Sequence, residues 1–193
     1  MKGKQFDSKA KELFGELLVK HGFSAAVSRH STFCRKISED VYHLILPDPS
    51  RRTSTFDVKV FAHSPKIEPL FGRRYPDGLG IPSDSFCYLS KSGVGIDQEF
   101  FWCRTDEGMT RNFKTRIEPL LMKFALPFLD RQKSLGQMVA YIRSPLYKAL
   151  ALGVLGDPHS KPLLEKQLGR LLRLQSSDEI VVSHIDRIKE LLS

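Results

Sequence analysis

The stretch that most constrains the fold of this chain runs from residue 53 to residue 63. Its apolar side chains alternate with mostly polar ones, in the two sets Phe56, Val58, Val60 and Ala62, and Thr55, Asp57, Lys59 and Phe61. A period of two residues is typical of a β-strand with one buried face and one more hydrated face. Strands are also predicted over residues 31–37 and 41–46, and the proline-containing run 47–52 is predicted as a turn. Together these segments predict an antiparallel sheet.

Helices are predicted before and after these strands. Apolar residues at helical spacing predict a helix over residues 6–21, and Gly22 is expected to end it in the left-handed conformation. From about residue 110 onward the whole pattern is helical. Pro119 and Pro127 interrupt it, so a kink is expected near one proline and a helix end near the other.

Two further strands are predicted between the central strands and the C-terminal helices, over residues 85–90 and 99–105. In the second of these, Phe100 and Trp102 fall on one face, and apolar residues fall on the other. Both faces are therefore expected to be covered, as in a central strand.

The order of these elements predicts an α+β protein. It has an antiparallel sheet of about five strands, packed against an N-terminal helix and a C-terminal helical bundle. Residues 1–130 are expected to form an α+β domain that contains the sheet. Residues 131–193 are expected to be a helical extension packed on that domain, so that the two make one structural unit.

Length and composition indicate a globular chain. It has 193 residues, of which 41% are hydrophobic and 27% are charged, which suffices for a core without a disulfide or a metal. Cys34, Cys87 and Cys103 are far apart and are expected to be buried, reduced thiols. No apolar run approaches the roughly 20 residues of a membrane span and no signal-peptide core is found, so no membrane association and a cytoplasmic location are expected.

A long segment rich in proline and glycine, residues 64–85, is the first candidate for a binding surface. Loops of this length without secondary structure are often functional. Arg73, Arg74 and Tyr75 lie at its middle, and arginine and tyrosine are favoured at protein interfaces. The leading hypothesis is therefore a non-enzymatic binding or accessory protein that engages another macromolecule, most simply a protein partner.

The sheet itself supplies a second candidate surface. Thr55, Asp57 and Lys59 share the polar face of one strand, and Arg51 and Arg52 lie at the beginning of that strand. If helices leave this face open, it offers a mixed polar surface to a protein or an anion. The simpler interpretation is a solvent-facing strand, because half-buried antiparallel strands alternate in this way.

The positive charge of the chain raises the alternative of nucleic-acid binding. The net charge is +8, and residues 101–150 hold nine Lys or Arg against four Asp or Glu. A predicted helical face in this region carries Arg111, Lys114, Arg116 and Lys123. Such a face attracts a phosphate backbone, although a run of charges usually indicates no more than a solvated helix surface.

A search for catalytic motifs identifies no reaction. The six histidines form no H-E-x-x-H pattern, and the paired glycines at residues 78–80 and 93–95 lack the rest of a phosphate loop. No metal and no cofactor are predicted. An enzyme with a dispersed site is the third hypothesis; its candidates are Asp57, Lys59, His43 and His63, and the two histidines could approach each other from neighbouring strands.

Several short motifs carry a family resemblance over residues 8–143. They are Gly22-Phe23, Thr32-Phe33-Cys34-Arg35, Asp40-Val41-Tyr42-His43-Leu44-Ile45, Thr55-Phe56-Asp57-Val58 and Ala125-Leu126-Pro127-Phe128-Leu129-Asp130. In this order and spacing the chain resembles a bacterial domain-of-unknown-function family. The resemblance implies a helix followed by antiparallel strands and no established activity; some such small proteins look like immunity or accessory factors.

Overall fold

The computed structural model describes residues 3–25, 32–50, 52–67, 86–90, 93–95 and 100–193. Its strands are β1 Ser24–Ala25, β2 Phe33–Lys36, β3 Tyr42–Pro49, β4 Thr55–His63, β5 Phe86–Ser90, β6 Gly93–Gly95 and β7 Phe101–Trp102. They form one sheet in the order β1 to β6, and β7 pairs with the beginning of β4. Every pairing between described strands is antiparallel.

Helices flank the sheet in the chain. Helix α1 is Gly3–Leu18, extended by a 3₁₀ turn at Val19–His21, and the long helix α2 covers residues 106–130. Four shorter helices follow, α3 Leu135–Val139, α4 Pro145–Val154, α5 Ser160–Arg173 and α6 Glu179–Leu192. The predicted α+β class, with an antiparallel sheet, an N-terminal helix and C-terminal helices, is confirmed. No helix in the described part of the chain is long and apolar enough to cross a membrane.

Two groups of buried side chains hold these layers together. In the first, residues of α1 and α2 surround Phe56, Val58 and Val60 of β4. In the second, residues of α3 to α6 pack against Val41 and Ala62 at the other end of the same sheet face. The C-terminal helices therefore lie on the sheet, while the division of the chain at residue 130 stays a prediction.

Both faces of β4 are buried, which corrects one expectation. Eight of its nine residues are buried and Lys59 is intermediate, so the polar face of the strand is not a hydrated one. On that face Phe61 packs with Leu44 and Leu46 of β3 in a third apolar group. The alternation correctly predicted the strand but not how much of it is covered.

Strand β3 extends further than predicted and includes two prolines. Pro47 pairs with Val58 and Pro49 pairs with Phe56, where a turn was expected. The Ser50 N–H donates to the Thr55 carbonyl at 2.9 Å, so alternate residues direct their N–H groups toward β4, and the two prolines direct their nitrogens away from it. The register with β2 has ended by that point, so neither proline removes a bond from the described ladder.

Helix α2 accommodates its two prolines with π turns. The turns Phe113–Ile117 and Leu121–Ala125 each precede a segment with proline at its second position. A proline ring crowds the carbonyl four residues before it, and the wider π turn makes room there. The helix consequently continues past Pro119 and ends at Asp130, three residues beyond Pro127.

The π turns also keep one side of α2 in the core over its whole length. Buried residues recur at every fourth position, at Phe113, Ile117, Leu121, Ala125 and Leu129. In a regular α-helix four residues overshoot a turn by about 40°, so these five positions would spread over about 160°. The opposite side is uniformly exposed and is called here the exposed row: Arg111, Thr115, Pro119, Lys123 and Pro127.

The end of α1 follows the predicted glycine geometry. Gly22 has φ 80°, its N–H donates to the Val19 carbonyl, and the Phe23 N–H donates to the Leu18 carbonyl, both at 3.1 Å. These two bonds satisfy carbonyls that the helix end would leave without partners. A Cβ at Gly22 would make only an ordinary contact with Cδ of Arg35, at 3.4 Å, so the positive φ is what suits the position to glycine.

Gly22→Ala is therefore expected to lower the free energy of unfolding by about 1 kcal/mol, because alanine disfavours positive φ. Gly169→Ala is the control, since Gly169 lies within α5 and an added Cβ there meets no atom within 4 Å. It should raise the same quantity by roughly 0.5–1 kcal/mol. Urea denaturation of both variants measures the difference, and changes of the same sign would contradict this account of Gly22.

Candidate functional site

An exposed tryptophan lies where β7 meets the beginning of β4. Trp102 pairs with Thr55, Phe101 pairs with Phe56, and the Cys103 N–H donates to the Ser54 carbonyl at 2.9 Å. Because side chains alternate along a strand, Phe101 enters the core and Trp102 points outward.

The outward face of this strand is open, contrary to the expectation that both faces are covered. Trp102 is 52% exposed and Phe100 is 50% exposed. Large exposed aromatic side chains are often part of interaction surfaces, although single ones also occur without a role. The residues around Trp102 are therefore needed to judge whether it belongs to a binding site.

A cavity of about 340 Å³ lies beside Trp102 and is called here the Trp102 cavity. It is lined by Trp102, Arg104, Thr105, Gly108, Arg111 and Asn112. The guanidinium carbon of Arg104 lies 4.7 Å from the centroid of the Trp102 ring, in cation–π geometry. The cavity therefore combines an aromatic face with two arginines.

Hydrogen bonds fix the walls of this cavity. The Asn112 amide Nδ2 donates to the Trp102 carbonyl at 2.8 Å, which links α2 to β7. The Thr105 hydroxyl accepts from the Gly108 N–H at 3.0 Å and caps the start of α2. The backbone of Trp102 is thus held against α2 before any ligand arrives.

Acidic residues also occur near the cavity, in the first turn of α2. They are Asp106 and Glu107. Gln5 of α1 donates its Nε2–H to Asp106 at 3.2 Å, so this carboxylate is directed toward α1. The pKa of Lys9 in α1 is raised mainly by a hydrogen bond to Glu12, and the negative charge of Asp106 makes a smaller contribution in the same direction.

The four basic residues of the nucleic-acid hypothesis are spread over the exposed half of α2. Arg111 and Lys123 belong to the exposed row, and Arg111 also lines the Trp102 cavity. Lys114 lies beside the row and forms an ion pair with Glu118 at 3.3 Å. Arg116 is only partly exposed, and its guanidinium lies 5.1 Å from the centroid of the buried Phe101 ring.

The residues predicted to form a polar sheet surface are mostly covered. Thr55 is 8% exposed and Asp57 is 4% exposed, while Lys59 forms an ion pair with Asp48. Arg52 is exposed in the turn before β4, and Arg51 lies outside the described residues. Burial leaves Thr55 and Asp57 little surface for a partner, yet Thr55 is the strand neighbour of Trp102.

The predicted binding loop cannot be placed beside this site. Arg73, Arg74 and Tyr75 lie outside the described residues, and of the segment 64–85 only residues 64–67 are described. The hypothesis that this loop engages a protein partner stays a prediction.

The two histidines of the dispersed-site hypothesis lie on opposite faces of the sheet. His43 pairs with Ala62, and Tyr42 pairs with His63, so the two side chains point away from each other and cannot form one site. Burial lowers the pKa of each to about 4, and for His43 the charge of Arg35 acts in the same direction, while a hydrogen bond to Gln132 opposes it.

His43 belongs to a hydrogen-bond network that joins several elements. Its Nε2–H donates to the Gln132 carbonyl at 2.8 Å, which leaves Nδ1 to accept from Arg35 at 3.0 Å. Arg35 also donates to Asp130 at 2.6 Å and to the His21 carbonyl at 3.1 Å. Both nitrogens of the imidazole are occupied, so this buried histidine serves the packing of α1 and α2 on the sheet.

Metal-ligating residues are dispersed in the part of the chain that the structure describes. There, no group of three or more His, Cys, Asp or Glu is arranged to hold a metal ion. Cys34 and Cys103 are buried, as predicted, and the side chain of Cys87 is not among those described.

Comparison with known proteins yields no match to a protein-family model, a curated protein or a solved structure. The resemblance to a bacterial domain-of-unknown-function family therefore stays a prediction. The Trp102 cavity and the surfaces next to it are the features of the described residues that bear on function.

Proposed function

We propose that this protein is a binding protein and that its partner is nucleic acid. The observation that carries the proposal is the exposed Trp102 ring, which lies under one arginine and beside a second at the start of a helix with a basic outer surface. Aromatic rings interleaved with arginine and lysine are the usual composition of surfaces that bind nucleic acid without strict sequence preference.

Charge supports the same partner. Residues 101–150, which include β7 and α2, carry five more basic than acidic residues, the difference between nine and four. Arg104, Arg111 and Lys123 are all exposed. A polyphosphate chain lying from the Trp102 cavity along the exposed row would approach these cations and release its counterions.

The test measures binding of a fluorescently labelled 12-nucleotide single strand by anisotropy, between 50 and 300 mM salt. Affinity should fall linearly with salt on logarithmic axes. The double variant Arg111→Gln/Lys123→Gln should bind more weakly, with a slope shallower by about 1.4, since each phosphate contact contributes about 0.7.

The control is Lys161→Gln/Arg173→Gln, which removes two exposed charges from α5 and leaves the same net charge. It should keep most of the affinity and the slope of the original protein. Equal losses in the two double variants would show that only net charge matters, and undetectable binding at 50 mM salt would refute the proposal.

A further inference from the structure

We infer that the Trp102 cavity accepts one unpaired nucleobase, stacked on the indole ring, so that the protein selects single strands over duplexes. This inference rests on the proposed function and names the form of nucleic acid bound at that site. It is carried by the geometry of Trp102, Arg104 and Arg111.

The ring of Trp102 already holds a planar group on its face. The Arg104 guanidinium lies 4.7 Å from the ring centroid, and half of the tryptophan surface is exposed. A nucleobase is also planar, stacks on aromatic rings and is stacked on by arginine. It can therefore stack on the exposed part of the indole ring, next to the Arg104 guanidinium.

The dimensions and the lining of the cavity fit this ligand. A volume of about 340 Å³ lies at the lower end of the range for small-molecule sites, roughly 300–1,000 Å³. Arg111 is exposed on the same wall, where it can neutralise a phosphate next to the bound base. A single nucleobase is small enough to enter such a space.

Polar groups in the cavity favour stacking over the reading of base edges. The Asn112 amide nitrogen is bonded to the Trp102 carbonyl, and the Thr105 hydroxyl accepts from the Gly108 N–H. One hydrogen bond of each group is thus already used to hold the site together. Selectivity among the four bases should accordingly be weak, since every base offers a stacking face.

The same geometry disfavours stacking of a duplex on Trp102. In a duplex both faces of each base are covered by its neighbours, and only an end or a flipped nucleotide exposes one. Except at its two ends, a duplex would have to give up a base pair to place a base on the Trp102 ring. It can still meet Arg111 and Lys123 through its phosphates, but without the stacking contribution.

The experiment uses the single tryptophan of this chain as its own reporter. Fluorescence of Trp102 is followed during titration of the full chain with a 12-nucleotide thymidine oligonucleotide, with a 12-base-pair duplex, and with polyglutamate, a polyanion that has no bases. We expect strong quenching by the single strand and little by the duplex or by polyglutamate. Equal quenching by polyglutamate would overturn the inference.

Substitutions give a second, independent measurement with a labelled oligonucleotide. Trp102→Ala should weaken single-strand binding roughly five- to a hundredfold, the range for one base stacked on an aromatic side chain, whereas Trp102→Phe should keep most of the affinity. Phe100→Ala is the control, because Phe100 is equally exposed and only two residues away. Since both side chains are half exposed, neither change is expected to unfold the protein, which circular dichroism checks.

The outcomes separate this inference from the proposed function. Salt-dependent binding with unchanged Trp102 fluorescence, or equal effects of Trp102→Ala and Phe100→Ala, overturns base stacking and leaves nucleic-acid binding intact. Equal affinity for single strand and duplex would likewise overturn base stacking and leave nucleic-acid binding intact. Absence of binding to either form overturns both.

Discussion

Lowering the pH from 7 to 4 is expected to remove about 6 kcal/mol from the free energy of unfolding, because His43 and His63 are buried in their neutral forms. Their pKa values fall from 6.5 to about 4 on folding, with desolvation as the main cause in both. The unfolded chain therefore takes up protons first. Stability is complete above pH 6.5 and is lost as the pH falls toward 4, by about 3 kcal/mol for each histidine.

A loss of this size approaches the whole stability of an ordinary domain, about 5–15 kcal/mol, so acid unfolding near pH 4 is expected. For His43 the charged groups nearby are Arg35, Asp130 and Lys133, and protonation would also break the bond from Arg35 to Nδ1. Arg35 cannot lose its proton to accommodate a charged imidazole.

Urea denaturation at pH 7, 6, 5 and 4.5 measures this effect. His43→Gln and His63→Gln should each be less stable at pH 7 but have a shallower pH dependence, by up to about 1.4 kcal/mol per pH unit. His159→Gln, at an exposed position, serves as the control and should reproduce the original profile. A free energy of unfolding that stays constant from pH 7 to 5 would show that neither histidine is buried as described.

Arg35→Ala is expected to lower the free energy of unfolding by about 3 kcal/mol, because one guanidinium links three parts of the fold. It donates to the His21 carbonyl after α1, to Asp130 at the end of α2 and to His43 in β3. It also lies 4.8 Å from the centroid of the Phe23 ring. The ion pair with Asp130 contributes little of this total, since the Asp130 side chain is 50% exposed and its charge is screened.

Lys36→Ala is the matched control for Arg35. Lys36 is the next residue of the same strand, and its ion pair with Glu39 joins two exposed side chains. Solvent screens such exposed pairs, so this variant should remain close to the original protein in its free energy of unfolding. Asp130→Asn separates charge from hydrogen bonding and should cost less than Arg35→Ala. Similar losses for Arg35→Ala and Lys36→Ala would mean that the network around His43 is not structural.

The parts of the fold that sequence could predict are those in which one residue type forces one conformation. The alternation from Thr55 to Phe61 defined β4, and Gly22 defined the end of α1. Ser134 and Ser144 show the same dependence on local residues in the structure, since each hydroxyl accepts a backbone N–H of the helix that follows it, α3 or α4. In each of these cases the backbone conformation is determined by the residue itself and by its near neighbours in the sequence.

The parts that sequence could not predict depend on distant neighbours. Alternation does not say whether the second face of a strand is covered, so Thr55 and Asp57 were expected on a more hydrated face and are buried. Pro47 was expected to end β3, but it lies within the strand. A proline disrupts a sheet only where a neighbouring strand would accept a hydrogen bond from the missing N–H.

The Trp102 cavity was missed for the same reason. Trp102 alternates with Phe101, a pattern that indicates a covered strand, and only the arrangement around β7 reveals that its outer side is open. Arg111 was a candidate for nucleic-acid binding because of its place on a predicted basic helical face, whereas Arg104 was not among the candidates. The signal that could have found the site is the short sequence Trp102-Cys103-Arg104, which precedes a predicted helix start and combines the only tryptophan with an arginine.

The two π turns of α2 have a consequence for how this surface can change. Four residues of a regular α-helix exceed one full turn by about 40°, and the π turns of α2 remove this excess. Residues 111, 115, 119 and 123 therefore lie in a straight line along the exposed side of the helix. The residues two positions after each of them lie in the core. Point substitutions along that line can alter affinity for a polymer without disturbing the interior. A single-residue deletion would instead have to be offset by conversion of one π turn into a regular α-helical turn, because otherwise downstream apolar side chains such as Leu129 would rotate out of the core.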